Sequence, residues 1–189
     1  MRFPVLGNAV PQRNFGILHS LSRWLLKSLG WKFEGNLPDV PRMVVAVAPH
    51  TTNWDFYLGV AALISINLRA NWLGKHTIFR WPVNNLLRGI GGIPVNRSAP
   101  HGVVGDSVAA FRARDQMLLA IAPEGTRKVG ANWKSGFYHI AKQAEVPIVP
   151  AYFDFKHKVI GLGPPLTPSG NMEVDLKILQ DYCAKARQG

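Results

Sequence analysis

A chain of 189 residues with 47% hydrophobic and 17% charged content carries enough apolar material for one sizeable core, which excludes disordered and fibrous classes and predicts a single folded domain over 1–189. A formal charge of +11, from 22 Lys and Arg against 11 Asp and Glu, calls for an anionic partner and leaves nucleic acid, a phospholipid surface and a phosphorylated substrate open. The lone cysteine, Cys183, excludes an internal disulfide, and with no signal-peptide pattern before Phe15 the expectation is a reducing, cytosolic location.

Residues 14–30 come first. Wound at 100° per residue, they place Ile17, Leu18, Leu21, Trp24, Leu25 and Leu29 on one side and His19, Ser20, Arg23 and Lys27 on the other. That suits a helix lying in a headgroup region, apolar face down and cations toward anionic lipid. An ordinary helix docked on the core fits the pattern equally well.

After a turn-like stretch at 35–41, residues 43–48 read as a strand buried on both faces. Thr52 and Asp55 have the spacing of a helix start, and 54–68 continues as an apolar helix. The longest uncharged apolar run, 56–68, falls well short of the roughly 20 residues that span a bilayer, so no crossing is expected. From 56 to 105 the cations Arg69, Lys75, Arg80, Arg88 and Arg97 meet no acid at all. This belt is either a binding surface or simply a solvated basic face.

Further strands are predicted at 92–95, 117–122 and 147–153, with helices at 80–89, 103–115 and 135–144. The Gly- and Pro-rich tail at 159–168 reads as an extended edge segment, followed by a terminal helix at 172–186. Alternating strands and helices predict an α/β fold with a largely parallel central sheet flanked by helices, whose strand ends would build the site.

Three motifs sit at such strand ends. In residues 49–55, PHTTNWD, His50 and Asp55 lie five positions apart. On one continuous helix they would point about 140° apart, so His50 belongs to the loop and Asp55 to the first helical turn, from which its carboxylate folds back toward the imidazole. An Asp accepting one ring N–H fixes the tautomer and frees the other nitrogen to take a proton. A loop His beside an Asp that only complements the helix dipole is the plainer alternative. The second motif, residues 122–128 or APEGTRK, sets Glu124, Gly125, Thr126 and Arg127 together. There glycine allows close approach and the Arg127 fork can grip a phosphate. The third, residues 91–98, ends a strand with Asn96 and Arg97. Arg97 and Arg127 at neighbouring strand ends would form one anion site.

In this order and at these distances the motifs resemble the lysophosphatidic acid acyltransferase family, more broadly the glycerolipid acyltransferases. His50 and Asp55 match its His-x4-Asp block, 92–97 the second block, 124–127 the Glu-Gly-Thr-Arg block and 146–150 an apolar, proline-bearing fourth. The resemblance covers roughly 42–155. Asn96 departs from it, since the family often has an acid there. In place of the long membrane-embedded amino-terminal region of many relatives, only the 14–30 helix is expected ahead of the first block.

The resemblance implies direct transfer: His50 deprotonates an acceptor hydroxyl, which attacks the thioester carbonyl of acyl-coenzyme A or acyl carrier protein. No cofactor, metal or acyl-enzyme is required. It further implies that Arg97 and Arg127, with Lys75 assisting, hold an anionic head while Glu124 shapes the site, and that the enzyme sits on an anionic membrane, peripheral at the inner face of the cell membrane. The acceptor expected is the lysophospholipid 1-acylglycerol-3-phosphate, with another lyso-lipid such as lyso-ornithine lipid as the alternative. Two rivals from other classes are weaker. Trp24, Trp31, Trp54, Trp72, Trp81 and Trp133 are scattered without a nucleic-acid motif, so no nucleic acid is expected. A thioester hydrolase would use the same imidazole, though no Gly-x-Ser-x-Gly elbow is present. Cys183 lies far from every block, and His19, His76, His101, His139 and His157 show no metal-ligand spacing.

Overall fold

The strand at residues 42–47 organises everything around it. The structure, a computed structural model, describes residues 3–49, 52–96, 102–124 and 132–184, and of Asn53 and Lys75 the backbone alone. In chain order its elements are α1 (Ile17–Ser28), β1 (Lys32–Glu34), β2 (Arg42–Val47), α2 (Asn53–Ser65), β3 (Trp72–Lys75), a 3-10 turn (His76–Ile78), α3 (Asn84–Gly89), β4 (Gly92–Val95), α4 (Gly102–Arg112), β5 (Met117–Ile121), α5 (Gly136–Ala144), β6 (Ile148–Asp154), β7 (Val159–Leu162) and α6 (Met172–Cys183).

Five strands form the main sheet in the order β1-β7-β6-β2-β5. β2 runs parallel to both neighbours, with Ala46 opposite Ile121 of β5 and Pro150 of β6. Among the described strands, β6 and β7 alone form an antiparallel hairpin. The parallel pair β3-β4 lies beyond β5. Asn71, just ahead of β3, joins the two sheets: its N–H donates to Leu118 O at 2.7 Å and its carbonyl accepts from Ala120 N–H at 2.9 Å. β2, β5, β3 and β4 therefore run in one direction and share one carboxyl edge.

Burial explains the apolar strands. Val44 and Ala46 of β2 face a core made with α4, α5 and α6, whereas Met43 and Val45 face the opposite side, closed by the amino-terminal segment and the end of α2. A strand covered on both faces needs no alternation, which is why 43–48 reads as one continuous apolar run. α1 and α2 lie together on the second face.

Several expectations are corrected. The tail at 159–168 is not an edge: β7 is interior, between β6 and β1, and the three-residue β1 is the edge strand. Gly161 sits opposite Tyr152, whose ring occupies the space that any Cβ at 161 would need. The glycine there makes room for a neighbour rather than marking a strand end. The helix expected from 80 begins only at Asn84, since Pro82 disfavours helical backbone at Trp81. β1 and β3 escape the sequence pattern because they are too short to show a period and, with Lys32 and Glu34 in one and Lys75 ending the other, lack the uncharged apolar run that marks the equally short β4.

Candidate functional site

β2 delivers the chain to the carboxyl edge through Ala48 and Pro49, and α2 leaves that edge at its N-cap, Thr52, in extended backbone. Asp55 is the third residue of the helix, and its Oδ2 accepts the Thr52 N–H at 2.7 Å. A carboxylate there meets an orphan N–H and the positive end of the helix dipole together. Asp55 is 3% exposed. The sequence spacing thus put Asp55 correctly in the first turn. His50 and Thr51, between Pro49 and Thr52, lie outside the described residues.

Glu124, three positions beyond β5, is 1% exposed. A buried carboxylate needs donors around it. Its turn is pinned where Pro123 O accepts the Lys134 N–H at 2.8 Å. Asn96 follows β4 directly, and its N–H donates to Asp106 Oδ2 of α4 at 3.1 Å. Lys75 is the last residue of β3, in register with Val95. Arg97, Gly125, Thr126 and Arg127 lie outside the described residues. One carboxyl edge therefore gathers Asp55, Lys75, Asn96 and Glu124 from four parallel strands. The strands bearing Asn96 and Glu124 are not neighbours as expected, because β3 stands between β4 and β5.

Two features of this edge were not found from sequence. Asp106 anchors the segment after β4, yet nothing in 103–115 sets it apart from an ordinary helical acid. At the end of β6, buried Asp154 accepts the backbone N–H of His157 at 3.0 Å and its Nδ1–H at 2.7 Å. Burial pushes the Asp154 pKa up, but these hydrogen bonds and the imidazole charge more than offset it and leave it lowered. His157 is thus an imidazole oriented by a carboxylate at this edge, and the i, i+3 spacing at a strand end was its only signal.

α1 docks in an unexpected orientation. His19 Nδ1 donates to Ile64 O (3.1 Å), Ser22 Oγ donates to Ala61 O (2.7 Å), the Arg23 guanidinium lies 4.4 Å over the Phe3 ring, and Leu26 is buried. Ile17, Leu18, Leu21, Trp24, Leu25 and Leu29 all face outward, Ile17 being 83% and Trp24 64% exposed. His19 and Arg23, expected to meet lipid, face the protein instead, because α2 carbonyls and an aromatic ring give them partners there. Phe56, Tyr57 and Val60 of α2 add to the outward apolar surface. Among the described residues no helix is long and apolar enough to cross a membrane, and no three His, Cys, Asp or Glu side chains gather as a metal-holding group. Cys183 is buried in α6, its Sγ 3.7 Å from Ala151 O.

The sequence pattern of the acyltransferase family matches residues 32–154, about two-thirds of the chain and every strand from β1 to β6. The chain belongs to the acyltransferase family. A 1-acyl-sn-glycerol-3-phosphate acyltransferase of Haemophilus influenzae is 24% identical over 196 aligned residues, covering 90% of this chain and 78% of that protein. The crystal structure of the 1-acyl-sn-glycerophosphate acyltransferase PlsC from Thermotoga maritima superposes with a TM-score of 0.65 at 15% identity. It covers 91% of this chain and 78% of that one, and at such identity it shows a shared fold. This acyltransferase is therefore an α/β enzyme whose family region contains all four sequence blocks.

Proposed function

We propose that the protein transfers a fatty acyl group from acyl-coenzyme A or acyl carrier protein to the free hydroxyl of 1-acylglycerol-3-phosphate, working at an anionic membrane surface on the cytoplasmic side of the cell membrane. The observation that carries this reading is the buried Asp55 in the first turn of α2, with His50 the residue that follows Pro49 at the sheet edge. In the proposed step His50 takes the hydroxyl proton while the oxygen attacks the thioester carbonyl. A C–O bond forms, the C–S bond breaks, and the imidazolium returns its proton to the departing thiolate. Asp55 keeps the tautomer and stabilises the imidazolium. Arg97, Arg127 and Lys75 hold the acceptor phosphate, Glu124 orients them through hydrogen bonds, and Asn96, Gly125 and Thr126 line the same pocket. The Haemophilus influenzae relative, named for the same acceptor, supports the choice of lysophosphatidic acid over lyso-ornithine lipid. The outward apolar face of α1 supports work at a membrane, since it would otherwise leave a large apolar patch in water.

The test is incubation of purified protein with labelled acyl-coenzyme A or acyl carrier protein and a panel of lyso-lipids, identifying products by mass. We expect acceptor-dependent release of carrier thiol together with phosphatidic acid. Thioester hydrolysis indifferent to acceptor would instead make the protein a hydrolase. His50→Ala should lower turnover by roughly 10²–10⁴, the range for a lost general base. His157→Ala removes the other oriented imidazole and should leave turnover near wild type; the opposite pattern would move the base to β6.

A further inference from the structure

A second apolar surface lies outside the site and α1. Trp81 is 92% exposed and Leu86 65%, and Val83 and Ile90 are exposed as well. The spacing 83, 86, 90 puts three of them on one stripe of α3, while Asn84 and Leu87 are its half-buried positions. Beside Trp81 lies an open cavity of about 370 Å³ lined also by Phe79, Asn84, Asn85 and Arg88. Arg88 Nε donates to Asn84 Oδ1 at 3.0 Å, and its guanidinium carbon sits 5.8 Å over the Phe79 ring. Those contacts orient the guanidinium, whose terminal nitrogens have no hydrogen-bond partner among the described residues. A planar fork so held suits a phosphate oxygen pair.

We propose that α3 with Trp81 is a second membrane-contact element, whose apolar stripe enters the headgroup boundary of an anionic bilayer while Arg88 and Asn85 receive the phosphate of one bilayer phospholipid. The inference rests on the reading of this enzyme as one that works at a membrane surface. Charge favours a lipid occupant, since Arg80 and Arg88 stand in the stretch from 56 to 105 that holds no acid. Continuity favours it too. Arg13 Nη1 donates to Gly89 O at 2.6 Å, and from Arg13 to Ile17 at the start of α1 the chain can reach about 14 Å at most. A single amphipathic helix can roll about its own axis on a bilayer. A second contact beside it stops the roll and holds the sheet edge at one depth.

The experiment uses the full chain and vesicles of phosphatidylcholine with or without phosphatidylglycerol, read by co-sedimentation and by quenching of tryptophan emission with brominated lipid. Leu86→Ser with Ile90→Ser should weaken vesicle binding about tenfold or more, as expected for two large side chains no longer buried in lipid. Arg88→Gln should cut the preference for anionic vesicles about fivefold, the loss expected for one cation at the surface. Trp81→Phe should lose a share of the quenching. Turnover on a water-soluble short-chain acceptor should stay unchanged in all of them. If these variants bind vesicles like wild type while Leu21→Ser with Trp24→Ser does not, α1 is the sole contact and the inference falls while the membrane reading stands. If wild type ignores vesicles, both fall. If inorganic phosphate binds at Arg88 yet Arg88→Gln keeps its anionic preference, the cavity serves a soluble anion and the bilayer assignment is wrong.

Discussion

Asp55 combines two tasks that a substitution can separate. Its Oδ2 caps the Thr52 N–H, and in the proposed mechanism the same carboxylate steers His50. Asn is nearly isosteric, and its Oδ1 can still accept the Thr52 N–H, so Asp55→Asn should cost at most about 1 kcal/mol of stability. The neutral amide cannot stabilise an imidazolium and can stabilise the wrong tautomer, so turnover should fall by roughly 10⁴. Denaturant titration and steady-state kinetics on the same preparation decide the matter. A variant that loses stability yet keeps its turnover per folded molecule would reduce Asp55 to a helix cap. Thr52-x-x-Asp55 is a local signal, which is why the place of Asp55 could be read from sequence, whereas the company of Asn96, Lys75 and Glu124 depends on strand order.

At the scale of elements, α6 is held to α5 by a buried polar cluster. Tyr138 O–H donates to Asp175 Oδ2 (2.8 Å), which also accepts the Ser169 N–H (2.7 Å), and Ser169 Oγ donates to Oδ1 (2.9 Å). Burial raises the Asp175 pKa, but the donors from Ser169 and Tyr138 and the Lys142 charge outweigh it, so the pKa lies below its ordinary value. A carboxyl group whose folded pKa is depressed contributes stability that is present above its unfolded pKa of about 3.9 and disappears as pH falls through the folded value. Tyr138→Phe should cost about 1–2 kcal/mol at neutral pH. Because Asp175 would then be less depressed, the gap between variant and wild type should narrow below about pH 4. Urea titrations at neutral and acid pH test this, and a gap unchanged by pH would mean the cluster draws nothing from the Asp175 charge. Helices such as α5 and α6 were legible because each is long enough to show its pattern, and β6 because it is one continuous apolar run. β1 and β3 were not, since Lys32-Phe33-Glu34 and Trp72-Leu73-Gly74-Lys75 are too short to show a period and, unlike β4, are interrupted or ended by charge, and without β3 the order of the site strands comes out wrong. The inward face of α1 was equally hidden, because the carbonyls of Ala61 and Ile64 that receive Ser22 and His19 belong to another helix.

Across the whole molecule, a charge of +11 and the outward Leu, Ile and Trp face of α1 predict two separable contributions to membrane binding. Attraction between exposed cations and anionic lipid is screened as the Debye length shrinks from about 10 Å at 0.1 M salt to about 3 Å at 1 M. Apolar insertion is not screened, at about 25 cal/mol per Å² buried. Binding to phosphatidylglycerol-containing vesicles should therefore weaken with salt toward a plateau rather than to zero. Leu21→Ser with Trp24→Ser should lower the plateau to the share that α3 supplies and leave the salt-sensitive part, since neither substitution alters charge. Co-sedimentation across a salt series separates the two. Binding that disappears entirely at high salt in wild type would show that the exposed faces of α1 and α3 both stay in water, and the basic surface alone would then bring the enzyme to its lipid.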